Sequence, residues 1–382
     1  MKTNLAAFRM NRLLLAFTLL LFALGGFAQK EILYVGTYSV RGSQGIYVFE
    51  FDRNTGTFTP VQAVSNVKSP SFLAIHPYFG FLYAVNEGAE GGSVNAYAID
   101  RRTGKLTFLN QQPSVGRGPC HVSLDRTGRV AFVSNYGEGT MTVLPVRRDG
   151  SLGAPSDSVR FSGSGPNAQR QEKPHAHSAT VSPDNRFVYV CDLGTDRVYI
   201  YQIDAALGKV KPAATPFVSV APGSGPRHFT FHPNGKFAYL VEELTSTTAV
   251  FARDAKTGRL TLLQDRVPTL PADYPGKNTS ADIHTDASGQ FLYQSNRGLN
   301  SLAMFAIAPD GRISMAGAAN TEGKTPRNFL VDPKGDFVLV ANQDSDTITF
   351  FKRDAKTGRL TYTGQSVSVP APVCLKLMTV RQ

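Results

Sequence analysis

The chain has 382 residues, 18 % of them charged and 42 % hydrophobic, which excludes a disordered polymer and allows one large globular unit. It carries 35 Gly and 23 Pro but no Trp and three widely spaced Cys, so neither a disulfide framework nor a cysteine zinc motif is written in it. The net charge of +11 falls to about +8 without the three basic residues of the N-terminal segment, and no Lys/Arg run accompanies it; this argues against nucleic acid and suits an anionic small molecule.

In chain order, Lys2, Arg9 and Arg12 precede the apolar run LLLAFTLLLFALGGF. That run has the length of a signal-peptide core and is shorter than the roughly 20 residues of a membrane span. GFAQ offers a small-residue cleavage site after Ala28, with no Cys for a lipid anchor. Residues 1–28 are therefore expected to be a signal peptide and residues 29–382 the folded domain. The expected location is periplasmic or secreted, with no stable membrane anchor after cleavage.

From there one strand signal recurs seven times: ILYVGTY, FLYAVNE, VAFVSNY, FVYVCDL, FAYLVEE, FLYQSNR and FVLVANQ. The anchors Tyr34, Tyr83, Phe132, Tyr189, Tyr239, Tyr293 and Leu339 are spaced by 49, 49, 57, 50, 54 and 46 residues. Before each anchor comes a turn such as HPNGK, SPDNR or DPKGD, and before most of those turns a short apolar run. After it comes an alternating run such as RVYIYQID or TITFFKRD, then a turn such as KTGRLT opening a fourth strand. Alternation, β-branched and aromatic residues and Gly/Asn/Asp turns predict strands throughout, with no helical periodicity. Four strands per unit, seven times, predict an all-β, seven-bladed propeller of four-stranded antiparallel blades. The first unit lacks its first strand, and the tail APVCLKLMTV is left over. The tail is expected to supply that strand and close the ring.

In such a ring the heads of the first strands and the ends of the second strands converge on one face around the axis. The first-strand slot holds Ser71, Cys120, His177, Arg227, Ala281 and Arg327, and the next holds Phe72, His121, Ser178, His228, Asp282 and Asn328. In KPHAHSATVSP, His177 thus falls in register with Arg227 and Arg327, whereas His175 falls in the preceding loop. His76 and His232 fall in turns on the opposite face and are expected to be structural. Three residues past each anchor stand Thr37, Asn86, Asn135, Asp192, Glu242, Asn296 and Asn342. All are polar, which predicts a structural role in satisfying loop backbone. The following slot varies: Tyr38, Glu87, Tyr136, Leu193, Glu243, Arg297 and Gln343. Variation within a repeat is what a site needs. One face therefore gathers His177, Arg227, His228, Glu243, Asp282, His284, Arg297, Arg327 and Asn328. Guanidiniums suit carboxylate or phosphate oxygens, and a carboxylate and an imidazole among them can do acid–base work. Three arginines disfavour a dication there, so neither metal nor cofactor is expected.

Together the motifs HSATVSPDNR, GPRHFTFHP, EELTS, ADIH and TPRNFLVD resemble the seven-bladed lactonase family, which includes bacterial 6-phosphogluconolactonases and fungal carboxy-muconate cyclases. The resemblance runs from ILYVGTY to VCLKLM. It implies a catalytic cluster of His177, Arg227, Glu243 and Arg297; His228, Asp282, His284, Arg327 and Asn328, gathered by register, are expected to bind substrate around it. It also implies hydrolysis of a sugar-acid lactone, with Glu243 or His177 activating water. The sequence departs from the family where Glu242-Glu243-Leu244 replaces Asn-Glu-Leu. Two other functions stay open on the sequence: lactonisation of a muconate-type diacid at the same site, and a propeller that binds a ligand or protein without turnover. No G-x-S-x-G nucleophile motif is present, so a covalent acyl-enzyme is not favoured.

Overall fold

The structure, a computed structural model, describes residues 29–88 and 90–381. Burial along a unit explains why each folds as a four-stranded sheet standing between two neighbours. In blade 4 the second strand, Phe187–Asp192, is buried at every position, because sheets pack on both of its faces. The outermost strand, Lys209–Ser219, is mostly exposed or half-buried. The described chain forms seven such antiparallel sheets, and its one helical segment is the three-residue turn Gln343–Ser345. Strand Pro372–Arg381 pairs antiparallel with Gln29–Thr37, setting Ile32 opposite Met378 and Tyr34 opposite Lys376, and so closes blade 1. The expected signal peptide lies outside the described residues.

The apolar core lies between blades. One cluster joins Phe187, Tyr189 and Ile200 of blade 4 to Phe229, Leu240 and Phe251 of blade 5. The anchors add a polar pin to this packing. Tyr34, Tyr83, Tyr189, Tyr239 and Tyr293 each donate a hydroxyl hydrogen bond to a glycine carbonyl in the next blade: Gly104, Gly150, Gly258, Gly311 and Gly358. A buried phenol needs such a partner. Phe132 and Leu339 hold the same position without one.

Local detail at the head of the first strands positions the site. Blades 3 to 7 all break register there, between Pro119 and His121, Ala176 and Ser178, Pro226 and Phe229, Ser280 and Ile283, and Pro326 and Asn328. A regular strand sends successive side chains to opposite faces; a bulge re-aims one of them. Consecutive residues Arg227 and His228 consequently line the same axial cavity.

Candidate active site

The uniformly polar ring at the ends of the second strands is structural. Thr37 donates to Gly45 O, Asn135 to Ser114 O, Asn296 to Thr269 O and Asn342 to Thr321 O. Asn86 accepts from Lys68 N, and Asp192 from His175 N and Gly194 N. Glu242 is the exception, bonding the Thr247 hydroxyl instead of a backbone group. His76 and His232 are likewise pins, reaching Gly128 O and Gly289 O across the opposite face.

The variable slot beside this ring builds the cluster. Glu243 is 2 % exposed at its centre. Its Oε2 accepts from Arg227 Nη1 at 2.7 Å and pairs with Arg297 Nη2 at 3.2 Å. Its Oε1 accepts from Arg170 Nη2 at 2.7 Å. Burial alone pushes the Glu243 carboxyl up, but Arg297, Arg227 and Arg170 together hold it well below the ordinary carboxylate range. Arg227 is fixed further by Nε donating to Ala281 O at 2.8 Å, and Arg297 by Nη2 donating to Ser280 O at 2.9 Å. The Arg227 Nη1 group also meets His177 Nε2 in a close hydrogen bond. Burial, then the charges of Arg227 and His228, lower the His177 pKa well below its usual value, so the ring is neutral and accepts at Nε2. Below it lies Cys120, whose Sγ is 3.3 Å from His177 O. Burial pushes that thiol up to about 12, so it is no nucleophile at neutral pH. Cys120, Cys191 and Cys374 are all unpaired.

The histidine pair of KPHAHSATVSP is thereby resolved. His175 is spent on the loop, its Nδ1 on Tyr136 O and its Nε2 on Glu172, while the Tyr136 ring stacks on it at 4.3 Å. The neighbouring His177 reaches the cluster.

Arg327 stands apart from the other arginines. It is packed over the Tyr38 ring at 5.2 Å and makes no hydrogen bond or ion pair among the described residues. With Arg227, His177, His228, Tyr38 and Cys120 it lines a small axial cavity. Nearby Glu87 bonds the Ser71 hydroxyl; burial raises its pKa, partly opposed by Ser71, Arg327 and Arg227. Four guanidiniums (Arg170, Arg227, Arg297, Arg327) thus face two carboxylates, leaving a net positive site.

The remaining expected residues sit one level down the axis. Asp282 Oδ1 is 2.8 Å from His228 Nδ1. Asp282 Oδ2 is 2.9 Å from His284 Nε2 and also accepts from the Asn328 amide and Phe329 N. Asn328 Oδ1 accepts from Leu375 N of the closing strand. His228 and Phe72 border both the upper cavity and a wider axial cavity of about 520 Å³; Asp282 and His284 border only the lower one. The single ring expected from register is therefore two tiers, because the bulges turn neighbouring slots toward different depths. Arg227 and Arg297 are both engaged by Glu243. Arg170 belongs to the cluster although the repeat gave it no slot: it sits in the loop entering blade 4, and the 57-residue step to that blade's anchor was its only trace. Tyr38, Glu87 and Tyr136 came from the variable slot but were not singled out. Among the described residues no group of three or more His, Cys, Asp or Glu side chains could hold a metal ion.

Comparison with known proteins agrees with the blade count. The family described as Lactonase, 7-bladed beta-propeller, matches residues 32–377. A protein named 6-phosphogluconolactonase from Bacillus subtilis is 37 % identical over 351 residues, spanning 91 % of this chain and 99 % of that one. Another of that name, from Formosa agariphila, is 34 % identical over 354 residues, with the same coverage. Among solved structures, the periplasmic gluconolactonase of Pseudomonas aeruginosa superposes with a TM-score of 0.86 at 37 % identity, covering 92 % of this chain and all of that one.

Proposed function

The chain belongs to the seven-bladed β-propeller lactonase family, and from that premise we propose that it hydrolyses an anionic sugar-acid lactone outside the cytoplasm. The relatives' names, 6-phosphogluconolactonase and gluconolactonase, support lactone opening and so a carboxylic ester hydrolase. The observation that carries the anionic preference is Arg327, a buried guanidinium lining the small axial cavity without a carboxylate of its own. An ion left without a partner at low dielectric favours a ligand that supplies the missing charge. Arg227, held by Ala281 O and Glu243, is a preorganised donor edge for the oxyanion that forms as water adds to the lactone carbonyl. His177, Arg227, Glu243 and Arg297 form the catalytic centre on this reading. Arg170 completes the cage around Glu243, and Arg327 takes the anionic substituent. The apolar leader and the periplasmic gluconolactonase among the neighbours support export, with cleavage after Ala28.

The test is ring opening of D-glucono-1,5-lactone and of its 6-phospho ester by purified protein, corrected for spontaneous hydrolysis. The phosphorylated lactone should be preferred in kcat/KM by about tenfold or more, an electrostatic contact worth about 1.4 kcal/mol. Arg327→Met should abolish that preference. Equal rates on both lactones in the wild type would remove the anionic preference and leave a neutral sugar lactonase. No rate above buffer would remove the function.

A further inference from the structure

The groups that could accept a proton in the axial cluster are not equally free. Both Glu243 oxygens are held by guanidiniums, and Nε2 of His177 is met by Arg227 Nη1. A lone pair already committed to a cation is a poor base, because protonating it gives up a charge-assisted hydrogen bond.

His228 differs from both. Its Nδ1 lies 2.8 Å from Asp282 Oδ1, and an ionised carboxylate only accepts, so the ring proton sits on Nδ1 and the lone pair on Nε2. No described residue takes that Nε2. The ring borders the cavity shared with Arg227, Arg327 and His177, and its centroid is 5.3 Å from that of His177. Asp282 is itself locked from three sides, by His284 Nε2, the Asn328 amide and Phe329 N. A carboxylate that fixes the tautomer of a histidine beside a reacting centre is the arrangement general bases use.

The geometry points to His228 as the general base of lactone opening, with Asp282 as its positioning residue; the assignment rests on the lactonase reading above. In the step, a water oxygen bonds to the lactone carbonyl carbon while His228 Nε2 takes one of its protons. The carbonyl electron pair moves onto oxygen and is met by guanidinium hydrogen bonds. As that pair returns, the ring C–O bond breaks, and the departing alkoxide takes the proton back from the imidazolium. Lactone and water give the hydroxy acid, and no oxidant or co-reactant is consumed. Asp282 stays ionised throughout and stabilises the transient imidazolium.

Charge around the ring fits this sequence. Burial lowers His228 to about 4, with Asp282 opposing and Arg227 and His284 reinforcing the fall, so the free enzyme holds a neutral ring. His121 and His177 also face it. An anionic substrate beside Arg227 and Arg327 cancels part of the positive field and makes the ring a stronger base when it is needed.

The experiment compares wild type, His228→Ala, His228→Gln and Asp282→Asn on the same two lactones, with added imidazole and with 15N NMR of histidine side chains. His228→Ala should lose about 10²–10⁴-fold in kcat with KM changed by less than about threefold. Imidazole should restore part of that rate. His228→Gln, which fills the site and keeps a donor for Asp282, should lose a similar factor and guards against a folding failure. In wild type the His228 resonances should report Nδ1–H with bare Nε2; in Asp282→Asn that form should be lost, together with about 10²-fold or more in kcat. A wild type active on lactone with His228→Ala and His228→Gln both within about threefold in kcat overturns the assignment and leaves the lactonase reading standing. So does an Nε2–H tautomer in wild type. A wild type that opens neither lactone overturns both.

Discussion

Two sets of arginines stand on opposite faces of the propeller. At the end holding the first-to-second strand turns, the arrangement repeats. Arg353 bonds Tyr293 OH, Asp286 and Gly335 O, and Arg253 bonds Tyr189 OH, Asp184 and Gly235 O in the same pattern. Arg53 spans from blade 1 to Asp332 of blade 7 in the equivalent place. Each joins one blade to the blade before it. At the other end the pairing does not repeat: Arg170, Arg227 and Arg297 come from three different slots and converge on one carboxylate, while Arg327, in the same slot as Arg227, pairs with none. A repeated arginine is a staple that every interface can use. An unrepeated one, packed beside like charges, is tolerated where binding needs it, since such crowding costs stability.

The sharpest way to break this contrast is to remove one carboxylate from each end. Glu243→Gln should destabilise the fold by about 3–5 kcal/mol, since it leaves buried guanidiniums uncompensated, and should also abolish turnover. Asp286→Ala should cost a comparable amount in urea unfolding yet leave kcat/KM of the folded fraction within about twofold. If both variants lose activity in proportion to stability alone, the ends are not functionally distinct. Acid sharpens the same point. The folded-state pKa of Glu243 lies below its unfolded value, so its stabilisation is complete above the ordinary carboxylate range and fades as pH falls through and below it. The wild-type urea midpoint should therefore drop below about pH 4, and Glu243→Gln should lack that part of the drop.

Arg227→Lys removes the fork but keeps the charge. It should cost about 2–4 kcal/mol in kcat/KM, read in the lactone assay, together with about 1–3 kcal/mol of stability, as Ala281 O and His177 lose their buried donor. Tyr189→Phe tests an inter-blade pin away from the site: about 1 kcal/mol of stability, a melting shift of about 1–3 °C, and unchanged kinetics. Arg259→Lys, in an exposed turn, should change neither stability nor turnover by more than about 0.5 kcal/mol.

What the sequence revealed divides along the same line. The blades were legible because each is a copy: the anchors, the turns and the polar ring recur, and the leftover tail had one place to go. The cluster was legible where it used repeat slots, which is why His177, Arg227, Glu243 and Arg297 could be picked from register. Arg170 escaped because a loop without counterparts offers no register. The depth of His228, Asp282, His284 and Asn328 escaped because the bulges at the strand heads are backbone events that leave no residue signature of their own. Nor could spacing show that Glu243 is caged by three cations while Arg327 is bare, since pairing is settled by packing.

The closing strand has a consequence for the order of events in synthesis. Val373 and Lys376 border the upper and lower axial cavities, and Leu375 N holds Asn328, which holds Asp282. A chain leaving the ribosome N-terminus first makes these residues after all seven anchors have emerged. Until they arrive, strand Gln29–Thr37 has an open inner edge and the axis is unsealed. The site is therefore a property of the finished ring, and a partly made chain has no premature version of it.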